Sequence, residues 1–148
     1  MVSRYSVRRF RAADLERILE IEHASFGKDA YDRNLFAEYG RRCAGLFLVA
    51  ADERAIQGYA ITCIRGPRAE LVSIAVDPAA RGRGAASALV ESTLRRLRLR
   101  GIARIGLMVR ETNAPARAFY EKYGFRKQWR VAECYEDSED GWWMGRGV

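Results

Sequence analysis

The sequence predicts an α/β fold: one domain with a mixed, mostly antiparallel central sheet flanked by helices. Three observations carry this. The first half alternates short β-rich runs with tight turns, the pattern of an antiparallel meander. The second half reads strand, helix, strand, helix, which sets two strands parallel across a helix. The length, 148 residues, suits a single domain with its own core. No internal repeat, linker or low-complexity tract divides the chain.

Taken in order, Tyr5 to Phe10 alternates like an opening strand. Asp14 stands where it can cap a helix whose apolar face continues through Leu15, Ile18, Leu19 and Phe26. Residues 27–32 form a loop before a second short helix, from about Arg33 to Tyr39. Leu46 to Ala50 is a strand, Asp52-Glu53-Arg54 a turn, and Ile56 to Ile64 the returning strand, with Gly58 at a bulge. Arg65-Gly66-Pro67-Arg68 turns again. Glu70 to Val76 is then a buried strand, stopped by Asp77-Pro78. Ala86, Leu89, Val90, Thr93, Leu94 and Leu97 recur at helical spacing, and Gly101 follows the helix end. Arg104 to Val109 is a strand parallel to 70–76. A further helix opens at Thr112-Asn113-Ala114-Pro115 and stops at Gly124.

Composition narrows the class. Hydrophobic residues make up 49% of the chain, too many for disorder. No apolar run reaches membrane-spanning length, and the opening MVSRYSVRRF lacks a signal-peptide core, so a cytoplasmic protein is expected. Cys43, Cys63 and Cys134 are far apart in the chain and not in metal-ligand spacing. They read as free thiols in a reducing compartment. The single His23 cannot build a histidine metal site and reads as a helix-surface residue, so no metal is expected. The net charge of +7 favours polyanions, including coenzyme phosphates, and leaves ribosome association open. No zinc-finger or RNP pattern supports a dedicated nucleic-acid module.

The informative stretch is the turn between the 70–76 strand and the following helix. Arg81-Gly82-Arg83-Gly84 offers flexible backbone, positive charge and a helix N-terminus, a combination that favours an anion. A Walker loop is excluded, because no lysine is present. The dinucleotide fingerprint lacks its third glycine, with Ser87 in that place, and does not follow a first parallel strand. Arg81-Gly82-Arg83-Gly84-Ala85-Ala86 resembles the R/Q-x-x-G-x-G/A acetyl-CoA loop of the GCN5-related N-acetyltransferase (GNAT) family. Asn113 to Phe125 resembles the same family's second motif, N-x-x-A-x-x-x-Y-x-x-x-G-F, and the likeness spans nearly the whole chain. It is nearest to the RimI-like protein N-terminal acetyltransferases.

That resemblance implies a GNAT fold and an acetyl-CoA-dependent N-acetyltransferase. It assigns the coenzyme pyrophosphate to Arg81, Gly82, Arg83, Gly84, Ala85 and Ala86, and the pantetheine arm to the backbone of Ile74, Ala75 and Val76. Asn113 would hydrogen-bond the coenzyme. Tyr120 would be the general acid, a phenol whose ordinary pKa of about 10 keeps it protonated at neutral pH. The family's helix–loop–helix wall and closing segment make Glu22, Tyr31 and Tyr135 candidate acceptor contacts. The chain departs from the RimI-like pattern at the base: Leu107-Met108-Val109-Arg110 carries methionine where that branch has glutamate. Glu70, placed like the glutamate of the histone-acetylating branch, is the substitute, with solvent water as the alternative. Glu133, Glu136, Asp137, Glu139 and Asp140 form an acidic cluster that could draw in a cationic substrate, although Glu139 and Asp140 read as solvated tip residues. The acceptor expected is a peptide N-terminal amine. A small amine, a non-catalytic acetyl-CoA-binding module, and a monomeric or homodimeric state are left open.

Overall fold

A computed structural model describes residues 4–148. Its strands are β1 (Ser6–Arg9), β2 (Phe47–Ala51), β3 (Ile56–Arg65), β4 (Arg68–Val76), β5 (Arg104–Arg110), β6 (Arg126–Val131) and β7 (Gly141–Gly147). They form one sheet in the order β1-β2-β3-β4-β5-β7-β6. Every neighbouring pair is antiparallel except β4 and β5. The helices are α1 (Leu15–Phe26), α2 (Arg33–Arg42), α3 (Ala85–Leu99) and α4 (Ala114–Lys122). The mixed sheet and the parallel crossover therefore stand as the hydrophobic patterns predicted.

Each face of the sheet buries its own core. On one face Leu89, Leu94 and Leu97 of α3 pack with Leu71, Leu107, Phe125 and Met144, and Tyr120 and Tyr123 of α4 close the layer. On the other face Ile18, Ile21 and Phe36 of α1 and α2 pack on Phe47, Tyr59 and Ile61. Truncating one such aromatic to alanine costs about 3–5 kcal/mol. This second layer covers only the β1–β4 half of the sheet.

Several local expectations need correction. Asp14 is buried and does not cap α1 with its side chain. Its carboxylate accepts two hydrogen bonds from Arg8, at 2.8 and 2.9 Å, and one from the Arg11 N–H at 2.8 Å. It thus ties β1 to the helix entry, and Arg8 holds its carboxyl below the usual carboxylate range. The bulge lies beside Gly58 rather than at it. Ala50 faces Gly58 and Ala51 faces Ile56, so Gln57 is the extra residue. Cys43 and Cys63 are not free thiols: they form a disulfide with Cα atoms 5.2 Å apart. Linear spacing hid this, because the end of α2 folds back onto β3. Cys134 is free and exposed. Among the described residues no helix is long and apolar enough to cross a membrane, and no group of three or more His, Cys, Asp or Glu gathers as for a metal. His23 is exposed on α1.

Candidate active site

The site begins where β4 and β5 part. Their parallel pairing covers only Ala69↔Ile105 and Glu70↔Gly106. Immediately beyond, β4 carries a bulge: Thr62 faces Leu71 and Ile61 faces Ser73, leaving Val72 extra. A bulge bends its strand and raises the local twist. The edge of β4 from Leu71 to Val76 therefore has no strand partner on the β5 side. Ile74, Ala75 and Val76 lie on that edge, so their peptide groups can pair with an extended ligand as an added strand would.

Past Val76 the chain is held tightly before it loosens. The Asp77 carboxylate accepts the Ala79 N–H at 2.8 Å and pairs with Arg17 of α1 at 2.9 Å. The next residues, Arg81 to Gly84, lead into α3 with Gly84 at its N-cap. Gly82 and Gly84 have φ of 78° and 95°, a backbone region costly to any side chain. Space around both is open: a Cβ on either would meet nothing within 4 Å. Glycine is needed here for conformation, and the open space is where a ligand can lie. The first helical hydrogen bond runs from the Ala88 N–H to the Gly84 carbonyl, so the N–H groups ahead of it face outward with the positive end of the helix dipole. Arg81 folds back, donating to the Val76 carbonyl at 3.2 Å and the Ser25 hydroxyl at 3.4 Å, whereas Arg83 is exposed. Ala85 is buried under the turn and Ala86 half-buried. Outward N–H groups, open space and an exposed cation are what an anion needs at a helix start.

α4 supplies the far side. The Asn113 side-chain oxygen caps α4 by accepting the Ala116 N–H at 3.2 Å, leaving its amide NH2 to donate outward. Tyr120 packs edge-on against Phe119 and Phe125. Its hydroxyl has no protein hydrogen-bond partner among the described residues. Burial pushes Tyr120 up to about 12, and the nearby phenols of Tyr135 and Tyr31 add to the rise. Tyr123, a residue sequence reasoning placed only in the motif, hydrogen-bonds Ser87 at 2.5 Å and so fixes α4 to the first turn of α3.

The opposite wall is assembled from distant pieces. Glu22, expected as an acceptor contact, is 1% exposed. One oxygen accepts the Tyr31 N–H at 2.8 Å, and the other accepts the hydroxyl of Tyr59, which also contacts Ser73 at 3.1 Å. Burial raises the Glu22 carboxyl above its ordinary value. With both oxygens occupied, Glu22 sets the position of the α1–α2 loop. Tyr31 packs on Phe36 and Tyr39. Burial pushes it up to about 12, and the fields of Tyr39, Glu22, Glu70 and Tyr135 contribute. Glu70 pairs with Arg65 at 3.1 Å through one oxygen. Its second oxygen has no partner among the described residues.

Arg110, at the end of β5, organises the 132–140 segment. It pairs with Asp137 at 2.8 Å and Glu139 at 2.9 Å, and its guanidinium lies 4.2 Å from the centre of the Tyr135 ring. Glu139 also accepts from the Thr112 hydroxyl, which is the main reason its carboxyl lies below the usual range. Asp140 pairs with Arg130 at 2.6 Å and accepts the Glu133 N–H at 2.8 Å. Glu139 and Asp140 are therefore latches, not solvated tip residues, and with Asp137 they are already neutralised. Burial pushes Tyr135 up to about 12. Met108 and Tyr135 close in over Gly141, where a Cβ would lie 3.1 Å from each side chain. An apolar thioether thus fills the floor where the RimI-like pattern has an acid. Nothing in the sequence marked Tyr59 or Ser73, and Arg110 stood out only as the end of a family phrase, because their roles depend on partners far along the chain.

An open strand edge, a glycine turn at a helix start and an unpartnered phenol on α4 are features an acyltransferase with a phosphate-bearing coenzyme can use. Residues 12–125 match the Acetyltransferase (GNAT) family, and the chain belongs to it. It is 34% identical over 131 residues to the [ribosomal protein bS18]-alanine N-acetyltransferase of Salmonella typhimurium, covering 84% of this chain and 87% of that one. Its fold superposes on Ard1 from Thermoplasma volcanium with a TM-score of 0.91 and 27% identity, covering 98% of each chain. It superposes on Naa20 of Chaetomium thermophilum, solved with a bisubstrate analogue, with a TM-score of 0.85 and 27% identity, covering 97% of this chain and 86% of that one. The protein is an acetyl-CoA-dependent N-acetyltransferase.

Proposed function

We propose that the acceptor is the α-amine of a polypeptide and that it attacks the thioester directly. The observation that carries this reading is that Tyr31, Tyr120 and Tyr135, from three separate segments, lie near enough for Tyr135 to add to the pKa rise of the other two and Tyr31 to that of Tyr120. Such a grouping can take an extended chain end-on. The Salmonella relative is named for a protein acceptor, which supports the choice. In this reading the Arg81–Ala86 turn holds the pyrophosphate, the edge Ile74–Val76 pairs with the pantetheine amides, and the Asn113 NH2 donates to the coenzyme. The amine nitrogen bonds to the acetyl carbon as the carbon–sulfur bond breaks. Tyr120, kept protonated by burial, gives its proton to the departing sulfur. The amine's proton leaves through one ordered water to Glu70, or to solvent. Among the described residues no cysteine or serine with a paired base stands in the cleft, so no acyl-enzyme step is invoked.

The test is acetyl-CoA turnover, followed by free thiol release, with a panel of N-terminal peptides and small amines. Peptides should turn over with the higher kcat/KM. Turnover of polyamines or aminoglycosides alone would replace this acceptor. Glu70→Gln should slow the reaction most at low pH, where the amine is most protonated. Equal rates across pH would assign the proton to solvent.

A further inference from the structure

We propose that the open half of the sheet carries a second acceptor subsite, in which the stacked indoles of Trp129 and Trp143, edged by Arg68, hold an aromatic and an acidic side chain a few residues beyond the acceptor's N-terminus. This deepens the polypeptide reading above and rests on it. α1 and α2 cover only β1 to β4 on their side of the sheet. Strand alternation sends Ile105, Leu107, Val109 and Met144 into the opposite core. Gly106, Met108 and Trp143 therefore face the same side as the acceptor groove, and no helix covers them.

The patch is built rather than incidental. Trp143 stands opposite Met108 across the β5–β7 ladder. Its indole lies over Gly106, where a Cβ would come within 2.1 Å of the ring, so glycine at 106 is what lets the ring lie flat across β5. Trp129, on β6, stacks on it with centroids 5.8 Å apart and planes 14° from parallel. Trp129 remains 47% exposed. The Arg68 guanidinium sits 5.6 Å from the Trp143 ring centre. Arg68 has no carboxylate partner among the described residues, whereas its neighbour Arg65 is taken by Glu70. An aromatic platform with one unspent cation suits an aromatic side chain next to an acid.

Continuity with the cleft commits the patch to the acceptor. Trp143 is two residues from Gly141, over which Met108 and Tyr135 close, a distance of about 7 Å along a strand. Trp129 lies one strand further, about 4.8 Å. A chain advancing about 3.3–3.6 Å per residue, its amine held at Tyr120 and Tyr135, would reach the pair at about its third to fifth residue. A small amine would end well short of it.

The test uses the whole protein and three peptides with the same first two residues: a dipeptide, an octapeptide with Phe-Glu at positions four and five, and its Ala-Ala counterpart. The wild type should show the lowest KM for the Phe-Glu octapeptide. Trp129→Ala, a substitution at an exposed position, should raise that KM on the order of tenfold, as loss of an interface tryptophan does. Its kcat, its KM for acetyl-CoA and its dipeptide kinetics should not change. Arg68→Ala should erase the preference for Glu while keeping that for Phe. Equal wild-type KM for all three peptides, or an equal KM rise for dipeptide and octapeptide in Trp129→Ala, would overturn the subsite while leaving the polypeptide reading intact. Turnover of small amines with none of the peptides would overturn both. A concentration-dependent mass abolished by Trp129→Ala would assign the patch to a second copy of the chain instead.

Discussion

On the side of the cleft proposed for the coenzyme the important groups are neighbours in sequence. The Ile74–Val76 edge, the two positive-φ glycines and the first turn of α3 follow one another without a break, and Asn113, Tyr120 and Tyr123 share one short helix and its cap. On the acceptor side, Glu22 reaches Tyr31, Tyr59 reaches Ser73, and Arg110 gathers Asp137, Glu139 and Tyr135 from a segment 27 positions away. The first wall is fixed by backbone conformation and a helix end. The second is fixed by a buried carboxylate, ion pairs and a disulfide. A fold built this way can keep its coenzyme while its acceptor wall changes, since the two walls draw on different forces.

The sharpest way to break this comparison is at Tyr120, which serves both walls. Tyr120→Phe should lower kcat by about a hundredfold or more, the usual worth of general acid catalysis. Coenzyme affinity, read by calorimetry, should stay nearly constant, and wild-type turnover would return Tyr120 to packing alone. Next in size is the staple of the acceptor wall. Cys43→Ser, or reduction of the disulfide, should lower stability by about 2–4 kcal/mol in denaturant melts. An unchanged midpoint would mean the α2–β3 contact holds without it. On the coenzyme wall, Gly84→Val forces a β-branched residue to positive φ. A strain of about 1–3 kcal/mol should weaken acetyl-CoA binding by roughly tenfold with little change in acceptor KM. Calorimetry showing native affinity would remove the loop from the coenzyme site.

The smallest effect separates two buried acids. Arg8 holds Asp14 below its ordinary value, so the stability Asp14 contributes is full at neutral pH and fades as pH falls through that lowered value. Burial raises Glu22, so the folded state keeps its proton to higher pH than the unfolded chain does. Its contribution is full below the ordinary carboxylate value, about 4.3, and is lost as pH rises through the raised one. Glu22→Gln should therefore gain stability relative to wild type as pH rises from about 4 to 7, whereas Asp14→Asn should lose it only as pH rises through the lowered Asp14 value to about 4, and hold a constant difference above that. Parallel pH profiles for the two variants would show that their environments do not differ in this way.

Much of this molecule is written locally. Hydrophobic period, turn residues and helix stops gave β1 to β5 and the four helices to within a few residues, because these depend on contacts between near neighbours, whereas β6 and β7 were not read from the pattern. The glycine turn before α3 and the helix within Asn113–Phe125 were legible for the same reason. Where reading failed, the missing information was distance in space. Asp14 looked like a cap and is held instead by Arg8 and the Arg11 amide. Glu22 looked like an acceptor contact and is buried with both oxygens bonded within the protein. Cys43 and Cys63 looked separate until an antiparallel return brought them together.

The sequence by itself determined an α/β chain with a glycine-arginine turn at a helix start, because glycine, proline and apolar period constrain φ, ψ and burial residue by residue. Tertiary structure alone decided that β4 and β5 part after Glu70, that Arg110 draws three side chains to one end of β5, and that Trp143 lies across Gly106. Each of these depends on how strands far apart in the chain align, and register is set by packing of the whole sheet rather than by any one segment.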